Sequence, residues 1–304
     1  MFQGVYAALF TPFDETGEIV ECQLREHVEW LVKKGISGLY ICGNSGQGVF
    51  LSVEERKRVH SIVNDQVSGR AEVIAHVAAL NTRDAKTLID HSNEIGLDAV
   101  SSLSPIYWSY SEREVVNYYR DIMKDSDLPC LMYVKPGAGA SEIDVQTVLE
   151  IAEIPGMVGM KYTSPNFFRM QDICLRLGGD WVVLSGPDEL FLPALTMGVR
   201  GSIGTTQNVF PELFIEIHRC FKEGDLPRAM AIQQVITRLV SLYRPHGGVA
   251  VAHAMLTLRG FPLSLCRPPF TRAMPEPDRT EMLAKTREII ARSPLPLELE
   301  CPRH

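Results

Sequence analysis

The sequence predicts an α/β protein, a (β/α)8 TIM barrel with a C-terminal helical extension. Eight short apolar or β-branched runs recur along its 304 residues. Their starts lie about 20 to 35 residues apart, the length of one strand-plus-helix unit. Segments with the three-to-four-residue spacing of amphipathic helices separate them. A doubly wound open sheet is the structural alternative, but no Gly-x-Gly-x-x-Gly motif follows the first strand.

The predicted strands read as unbroken apolar runs, as is typical of a parallel sheet that is covered on both faces. In chain order they span 5–10, 38–42, 72–77, 99–103, 130–134, 157–161, 181–185 and 201–203. Ser52 with Glu55 and Ser111 with Glu114 have the spacing of capping boxes, which predicts that helices start there. Pro211 suits the first turn of a helix that runs to about residue 222.

Chain length and composition favour one barrel domain over residues 1–224. Helical patterns at 226–243, 249–258 and 279–291 predict a C-terminal extension over residues 225–292. The proline-punctuated end, residues 293–304, is expected to be a loose tail.

Charge and composition exclude several classes of function. A net charge of -7 argues against a nucleic-acid partner, which would need a basic face. No stretch is long and apolar enough for a membrane span, and the N-terminus lacks the charged leader of a signal peptide. The seven cysteines form no C-x-x-C pair, which favours a reducing cytoplasm over a disulfide framework or a zinc site. The eight histidines show no metal-ligand spacing, so no metal or other cofactor is expected.

Lys161 ends the sixth predicted strand and is the leading candidate for a catalytic residue. Desolvation at such a strand end disfavours the charged ammonium, so the lysine pKa falls and the lone pair can attack a carbonyl. This is the chemistry of a Schiff-base lysine. The alternative is a lysine that extends its ammonium from the strand end into water.

Further candidates follow other strands, because the working residues of such barrels lie at the C-terminal ends of strands. The loop after strand two carries Asn44, Ser45 and Gly46, which could cradle a carboxylate or could form only a turn. Tyr133 on strand five could shuttle a proton or could be an ordinary core tyrosine. Tyr107, in an aromatic loop after strand four, could line a pocket or pack in a subunit interface.

Strands seven and eight add polar and small residues at the same end. Asp188 and Glu189 follow strand seven, where they could cap a helix or accept hydrogen bonds from sugar hydroxyls. Strand eight offers Ile203 and Thr205 within a run of small residues that would let a ligand lie close to the backbone.

Lys135 is a second lysine that could face the same space. If Tyr133 points into the barrel, strand alternation directs Lys135 the same way, one layer nearer the mouth. There it would lower the pKa of Lys161 further and could bind a distal carboxylate of the substrate. The alternative is a solvent-exposed lysine at a strand end.

The chain resembles the pyruvate-dependent class I aldolases that include dihydrodipicolinate synthase and N-acetylneuraminate lyase. The resemblance covers about residues 4 to 270. It is strongest at Tyr133, at Lys161 and in three motifs, AALFTPFD at 7–14, GNSGQ at 43–47 and LCRPPF at 265–270. It implies that Lys161 attacks the keto carbon of a 2-oxo acid, that Tyr133 transfers protons, and that the 44–45 loop binds the carboxylate.

The resemblance also bears on assembly and substrate. Tyr107 looks like the family tyrosine that reaches into a neighbouring subunit's site, which implies a homotetramer or homodimer. Ala138 stands where dihydrodipicolinate synthases have an arginine that holds the second substrate, so that activity is disfavoured. The N-acetylneuraminate lyase branch is the closer match. It implies substrate contacts at five residues, namely Thr163, Gly186, Asp188, Glu189 and Thr205.

The loop at 44–47 departs from the family pattern of Gly, Thr or Ser, Thr, Gly, Glu. Asn44, Ser45 and Gln47 alter its hydroxyl relay and remove a buried carboxylate.

The predicted function is that of a Schiff-base-forming lyase, an aldolase that acts on a 2-oxo acid with a hydroxylated chain and releases or uses pyruvate. A dehydratase of a 3-deoxy-2-oxo sugar acid would use the same imine. The alternative from another class of function is a non-catalytic protein, either a 2-oxo acid binding protein or a regulatory protein.

Overall fold

Eight parallel strands, each hydrogen-bonded to its neighbours in chain order, close into a barrel in which β8 pairs with β1. The computed structural model describes residues 2–136 and 143–299. The strands are β1 (Gly4–Ala8), β2 (Gly38–Ile41), β3 (Glu72–His76), β4 (Ala99–Leu103), β5 (Cys130–Val134), β6 (Met157–Tyr162), β7 (Val182–Ser185) and β8 (Gly201–Gly204). This architecture confirms the predicted (β/α)8 barrel, and every predicted strand overlaps an observed one.

Helices follow the strands around the outside of the barrel. They are α1 (Glu21–Lys33), α2 (Val53–Val67), α3 (Thr82–Glu94), α4 (Glu112–Met123), α5 (Val145–Ala152), α6 (Phe167–Leu177), α7 (Phe191–Thr196) and α8 (Pro211–Glu223). Capping boxes at Ser52 and Ser111 start α2 and α4, and Pro211 stands in the first turn of α8, as predicted. None of the helices in the described part of the chain has the length and apolarity that a bilayer crossing requires.

Side chains fill the barrel from the inside and leave room only at its C-terminal mouth. One apolar cluster lies between strands and helices, and a second occupies the interior, where it includes Tyr6, Tyr40, Leu131, Tyr133 and Leu184. Because this interior is packed rather than open, a ligand has access only from the end where the strands stop.

The C-terminal extension contains α9 (Leu226–Tyr243), α10 (Gly248–Leu256) and α11 (Asp278–Ala291). Helix α9 packs against α8, and α11 packs against α9. The tail expected to be loose is instead packed as far as residue 299, because Leu295, Leu297 and Leu299 lie on the outer core and Arg259 donates to the Glu298 carbonyl. Residues 300–304 of that tail, like Ala138, lie outside the described part of the chain.

Arg267, within the LCRPPF motif, ties three segments together behind the mouth. Its guanidinium pairs with Glu55 at 2.7 Å and donates to the carbonyls of Phe50 and Gly17. Its backbone N–H donates to Gln47 Oε1 at 2.8 Å. The arginine therefore fixes the loop after β2 against the C-terminal segment.

We expect Arg267→Ala to lower the free energy of unfolding by about 3 kcal/mol, because it leaves a partly buried carboxylate and two carbonyls without their donor. Urea unfolding followed by circular dichroism measures this. Arg120→Ala is the matched control, since the exposed Arg120–Glu150 pair should contribute less than about 1 kcal/mol. Equal losses for both variants would contradict this role of Arg267.

Candidate active site

Lys161 lies on β6 with its amine inside the mouth of the barrel, and its side chain is 5% exposed. The amine Nζ lies 4.3 Å from the centroid of the Tyr40 ring and 4.5 Å from that of Tyr133. The β5–β6 register places Tyr133 directly beside Lys161. The two leading candidates of the sequence are therefore adjacent in the structure.

Burial lowers the pKa of Lys161 to about 7. Asp188 acts in the opposite direction and raises this pKa, whereas the positive charge of Lys135 lowers it further. Near neutral pH about half of the amine is therefore unprotonated, which is the form that adds to a ketone.

Tyr133 is buried, and this burial raises the pKa of its phenol to about 12, an effect that the Thr163 hydroxyl reduces. The phenol therefore stays protonated at neutral pH. It can donate a proton to an oxygen bound beside Lys161 and receive one back when that oxygen carries charge.

The loop after β2 faces Lys161 across the mouth. Ser45 Oγ lies 2.7 Å from Thr205 Oγ1, which connects this loop to the end of β8. The Gly46 carbonyl accepts a hydrogen bond from Thr11 Oγ1, and a Cβ on Gly46 would lie 2.7 Å from the Leu9 carbonyl oxygen. Glycine is therefore required at 46, where it supports Asn44 and Ser45 rather than lining the cavity.

Thr163 and Gly186 form part of the opposite wall. A Cβ on Gly186 would lie 1.8 Å from Thr163 Oγ1, so glycine makes room for that hydroxyl. Thr163 Oγ1 is buried near the Tyr133 phenol and makes no hydrogen bond of ordinary geometry to a residue within 2–136 or 143–299. A bound ligand can supply such a hydrogen bond.

Asp188 and Glu189 lie beside this cavity, with both carboxylates in contact with protein groups. Asp188 Oδ2 accepts from the Thr206 backbone N–H at 2.8 Å, and burial raises the pKa of Asp188 to about 6. Glu189 pairs with Arg244 of the short helical turn after α9. Asp188 therefore does not cap the helix that follows β7, which has no side-chain cap; its Oδ2 contacts the turn after β8 instead, and its charge acts on Lys161 through space.

Tyr107 points away from the cavity of its own chain. Its side chain is 78% exposed, its φ is 87°, and its ring contacts that of Trp108 at 5.4 Å between centroids. The Tyr107 ring is therefore not part of the cavity that this chain forms around Lys161.

The residues around Lys161 enclose a cavity of about 350 Å³. It brings together most of the residues predicted from the sequence, namely Asn44, Ser45, Tyr133, Lys135, Lys161, Thr163, Gly186, Ile203 and Thr205. Gly46, Tyr107, Asp188 and Glu189 are not among its lining residues. Apolar residues from three segments complete the wall, namely Val49, Phe50, Val249 and Phe270.

Tyr40 and His76 are site residues that the sequence analysis missed. The Tyr40 hydroxyl lies 2.9 Å from His76 Nδ1 and donates to Ser101 Oγ, which forms a polar layer beneath Lys161. Burial lowers the pKa of His76 well below its ordinary value, so the imidazole is neutral. Both residues lie in apolar strands. Only the two-residue alternation of side chains along a strand could have indicated that they point into the barrel.

No group of three or more His, Cys, Asp or Glu side chains in the described residues is arranged to hold a metal ion.

We expect the yield of borohydride-trapped pyruvate to rise as the pH increases from about 5.5 to 8 and then to level off. The neutral amine of Lys161 dominates above its lowered pKa of about 7. Mass spectrometry of the reduced adduct across this range gives the curve. A midpoint near 10, as in an unperturbed lysine, would contradict the buried position of the amine.

A closed (β/α)8 barrel with a largely neutral lysine beside a protonated tyrosine at its mouth defines a class of protein, the lysine-dependent, class I aldolases. The model of the Dihydrodipicolinate synthetase family matches residues 1–288 of this chain. The chain therefore belongs to the dihydrodipicolinate synthetase family. It is an enzyme, a lyase of the pyruvate-dependent class I aldolase type, and the Schiff-base mechanism is general to that family.

Individual relatives agree with this assignment. The N-acetylneuraminate lyase of Rhizobium meliloti (strain 1021) is 34% identical over 289 residues, which cover 95% of this chain and 94% of the relative. The sialic acid aldolase of Ruminococcus gnavus superposes with a TM-score of 0.91 at 28% identity, covering 95% of this chain and 97% of that one. The dihydrodipicolinate synthase of Aquifex aeolicus superposes with a TM-score of 0.89 at 30% identity, covering 98% and 100%.

Proposed function

We propose that this enzyme cleaves or forms a carbon–carbon bond in a 2-oxo acid with a hydroxylated chain, with pyruvate as the three-carbon partner. The observation that carries the proposal is the buried Lys161 amine, with a pKa of about 7, beside the phenol of Tyr133 in the cavity at the mouth of the barrel. The relatives named N-acetylneuraminate lyase and sialic acid aldolase support an aldol reaction rather than another use of the imine.

The roles of the residues follow from their positions. The Lys161 amine adds to the C2 keto carbon, and loss of water gives the imine. The Tyr133 phenol gives its proton to the hydroxyl group that leaves as water when the protonated imine forms, and the resulting phenolate takes the proton of the C4 hydroxyl. The C3–C4 bond then breaks, its electrons enter the protonated imine to form an enamine, and an aldehyde leaves. Protonation at C3 and hydrolysis of the imine release pyruvate and the free amine.

Asn44 and Ser45 are proposed to bind the C1 carboxylate of the 2-oxo acid. Their loop lies across the cavity from Lys161. The Ser45 hydroxyl contacts the Thr205 hydroxyl, which follows β8, and this pair of hydroxyls can donate to the carboxylate. Thr163, Gly186 and Ile203 line the part of the cavity left for the rest of the substrate.

The test of this proposal has two parts. Borohydride reduction with pyruvate, followed by peptide mapping, should place the adduct on Lys161. A screen of 2-oxo sugar acids should then release pyruvate and an aldehyde. A product that retains all carbons but has lost water would identify a dehydratase instead, and binding without turnover would identify a non-catalytic protein.

We propose a cytoplasmic homo-oligomer, a tetramer or dimer. Leu80, Tyr107 and Trp108 are large exposed apolar side chains, of which Tyr107 and Trp108 are in ring contact, and Phe168 and Leu175 lie exposed on α6. Exposed apolar groups of this size are typical of subunit contacts.

We expect Trp108→Asp to reduce the mass of the assembly, because a carboxylate in an apolar contact opposes association. Light scattering coupled to gel filtration measures this against the 33.9 kDa of one chain. A wild-type protein that elutes as a monomer would contradict the proposed assembly.

A further inference from the structure

The charged side chains that line the cavity are both cationic. Among the lining residues within the described part of the chain, Lys135 and Lys161 carry ionisable charge, and no carboxylate is present. The whole protein has a net charge of -7, so the cationic lining of the cavity is opposite in sign to the net charge of the chain. A cavity of this kind favours an anionic ligand.

Lys135 faces the cavity because of its place on the barrel. It follows β5 two residues after Tyr133, and β-strand alternation gives both side chains the same direction. At about 3.3 Å per residue it stands roughly 6.6 Å further toward the mouth than Tyr133. The backbone beyond β5 remains paired there, since the Thr163 N–H donates to the Val134 carbonyl.

Lys135 has no ion pair or hydrogen bond with any residue in 2–136 or 143–299. It is half-buried, and this burial lowers its pKa. On the β7 side, Asp188 Oδ2 accepts from the Thr206 N–H and Glu189 pairs with Arg244, and neither carboxylate pairs with Lys135. A half-buried ammonium without an anionic partner is unfavourable until a ligand supplies one.

The C1 carboxylate of a 2-oxo acid does not fill this role, because its cradle is the loop after β2. That loop lies three strands away from β5 around the barrel. A ligand joined to Lys161 through C2 would place its carboxylate at the β2 loop and its chain elsewhere in the cavity. The anion that meets Lys135 must therefore belong to the far part of the chain.

We propose that Lys135 binds a second carboxylate at the distal end of the substrate, which makes the substrate class a 2-oxo diacid with a hydroxylated chain. This inference rests on the proposed aldolase function and specifies its substrate. The aldehyde released by cleavage then carries the distal carboxylate, and Lys135 selects for that half of the molecule.

The test compares two 2-oxo acids of equal length, 2-oxoadipate and 2-oxohexanoate, which differ in having a carboxylate or a methyl group at C6. Both share the ketone and the C1 carboxylate. The half-saturation concentration for cyanoborohydride-trapped adduct is measured for each in the wild type, Lys135→Met, Lys135→Gln and Lys222→Met. A substitution that only changes the reactivity of Lys161 alters both half-saturation concentrations equally, so it leaves their ratio within that variant unchanged.

The half-saturation concentration of the wild type is expected to be lower for 2-oxoadipate by about ten-fold or more, because a charge-assisted hydrogen bond strengthens binding by about that factor. Lys135→Met and Lys135→Gln should reduce the ratio to about one. Lys222→Met, which removes an exposed charge on α8, should keep the wild-type ratio. Thermal unfolding of each variant establishes that it is folded.

Two results would overturn the inference while leaving the proposed function standing. One is a wild type that traps pyruvate but shows no preference between the two acids. The other is a Lys135 variant that weakens trapping of both acids equally, since this would place Lys135 on the shared C1 carboxylate or on Lys161. Failure of the wild type to trap pyruvate at all would instead overturn the proposed function.

Discussion

Lys161→Met is expected to eliminate the borohydride-trapped pyruvate adduct and to reduce turnover by at least roughly 1000-fold, because it removes the amine that lies beside the Tyr133 phenol. Methionine occupies a similar volume, so the wall formed by the Tyr40 and Tyr133 rings should remain packed. Intact-protein mass spectrometry after reduction and a coupled pyruvate assay measure the two effects.

Stability provides an internal control for this variant. Burial lowers the pKa of Lys161 to about 7 from the ordinary 10.5, so the unfolded chain binds more protons between these values. The wild type should therefore gain stability as the pH rises from 7 to 10.5, and Lys161→Met should lack this gain. An adduct that persists in the variant, on another lysine, would contradict the assignment of Lys161 as the nucleophile.

Tyr133→Phe is expected to lower kcat by about 100-fold to 10,000-fold, the usual contribution of a positioned proton donor and acceptor. Lys161 is unchanged in this variant, so pyruvate trapping should still occur. Steady-state kinetics with any accepted sugar acid, together with the trapping yield, separate the loss of proton transfer from the loss of imine formation.

Tyr40→Phe is the matched control, since it removes the phenol on the other side of the Lys161 amine. The Tyr40 hydroxyl already contacts His76 and Ser101, so it should contribute to stability more than to the reaction. Equal losses of kcat for the two variants would argue against Tyr133 as the proton carrier.

The pKa of Lys161 is lowered because of the layer in which the amine lies. Beneath it the interior is closed by Tyr40, His76 and Tyr133, and above it the cavity opens toward Lys135. Burial in that layer lowers the lysine pKa, and the positive charge of Lys135 lowers it further. The open side gives a ligand access to the amine.

The strands and most helix starts could be predicted from local sequence. Continuous apolar runs mark buried parallel strands, and the capping residues Ser52 and Ser111 satisfy backbone donors within their own turn. The positions of Lys161 and Tyr133 were likewise predictable, because a polar side chain near the C-terminal end of a buried strand has few places to lie other than the mouth of the barrel. Alternation also predicted that Lys135 faces the cavity.

The positions of Asp188, Glu189 and Tyr107 could not be predicted in this way. Asp188 and Glu189 each depend on a partner that is distant in sequence, and Tyr107 depends on the conformation of the loop after β4. Asp188 contacts the turn after β8, Glu189 contacts Arg244 in the extension, and Tyr107 projects from the surface. Local patterns carry no information about which of these contacts forms.

The sequence by itself determined the barrel, its mouth and the lysine–tyrosine pair, since hydrophobic period and strand ends are local properties of the chain. The tertiary structure decided which polar groups remain available to a ligand. Ring closure brings Tyr40 and His76 beneath Lys161 and engages the β7 carboxylates, while Lys135 is left without a partner among the described residues. The reason is that hydrogen bonds and charge pairs across the barrel depend on distances that only the closed arrangement of all eight strands sets.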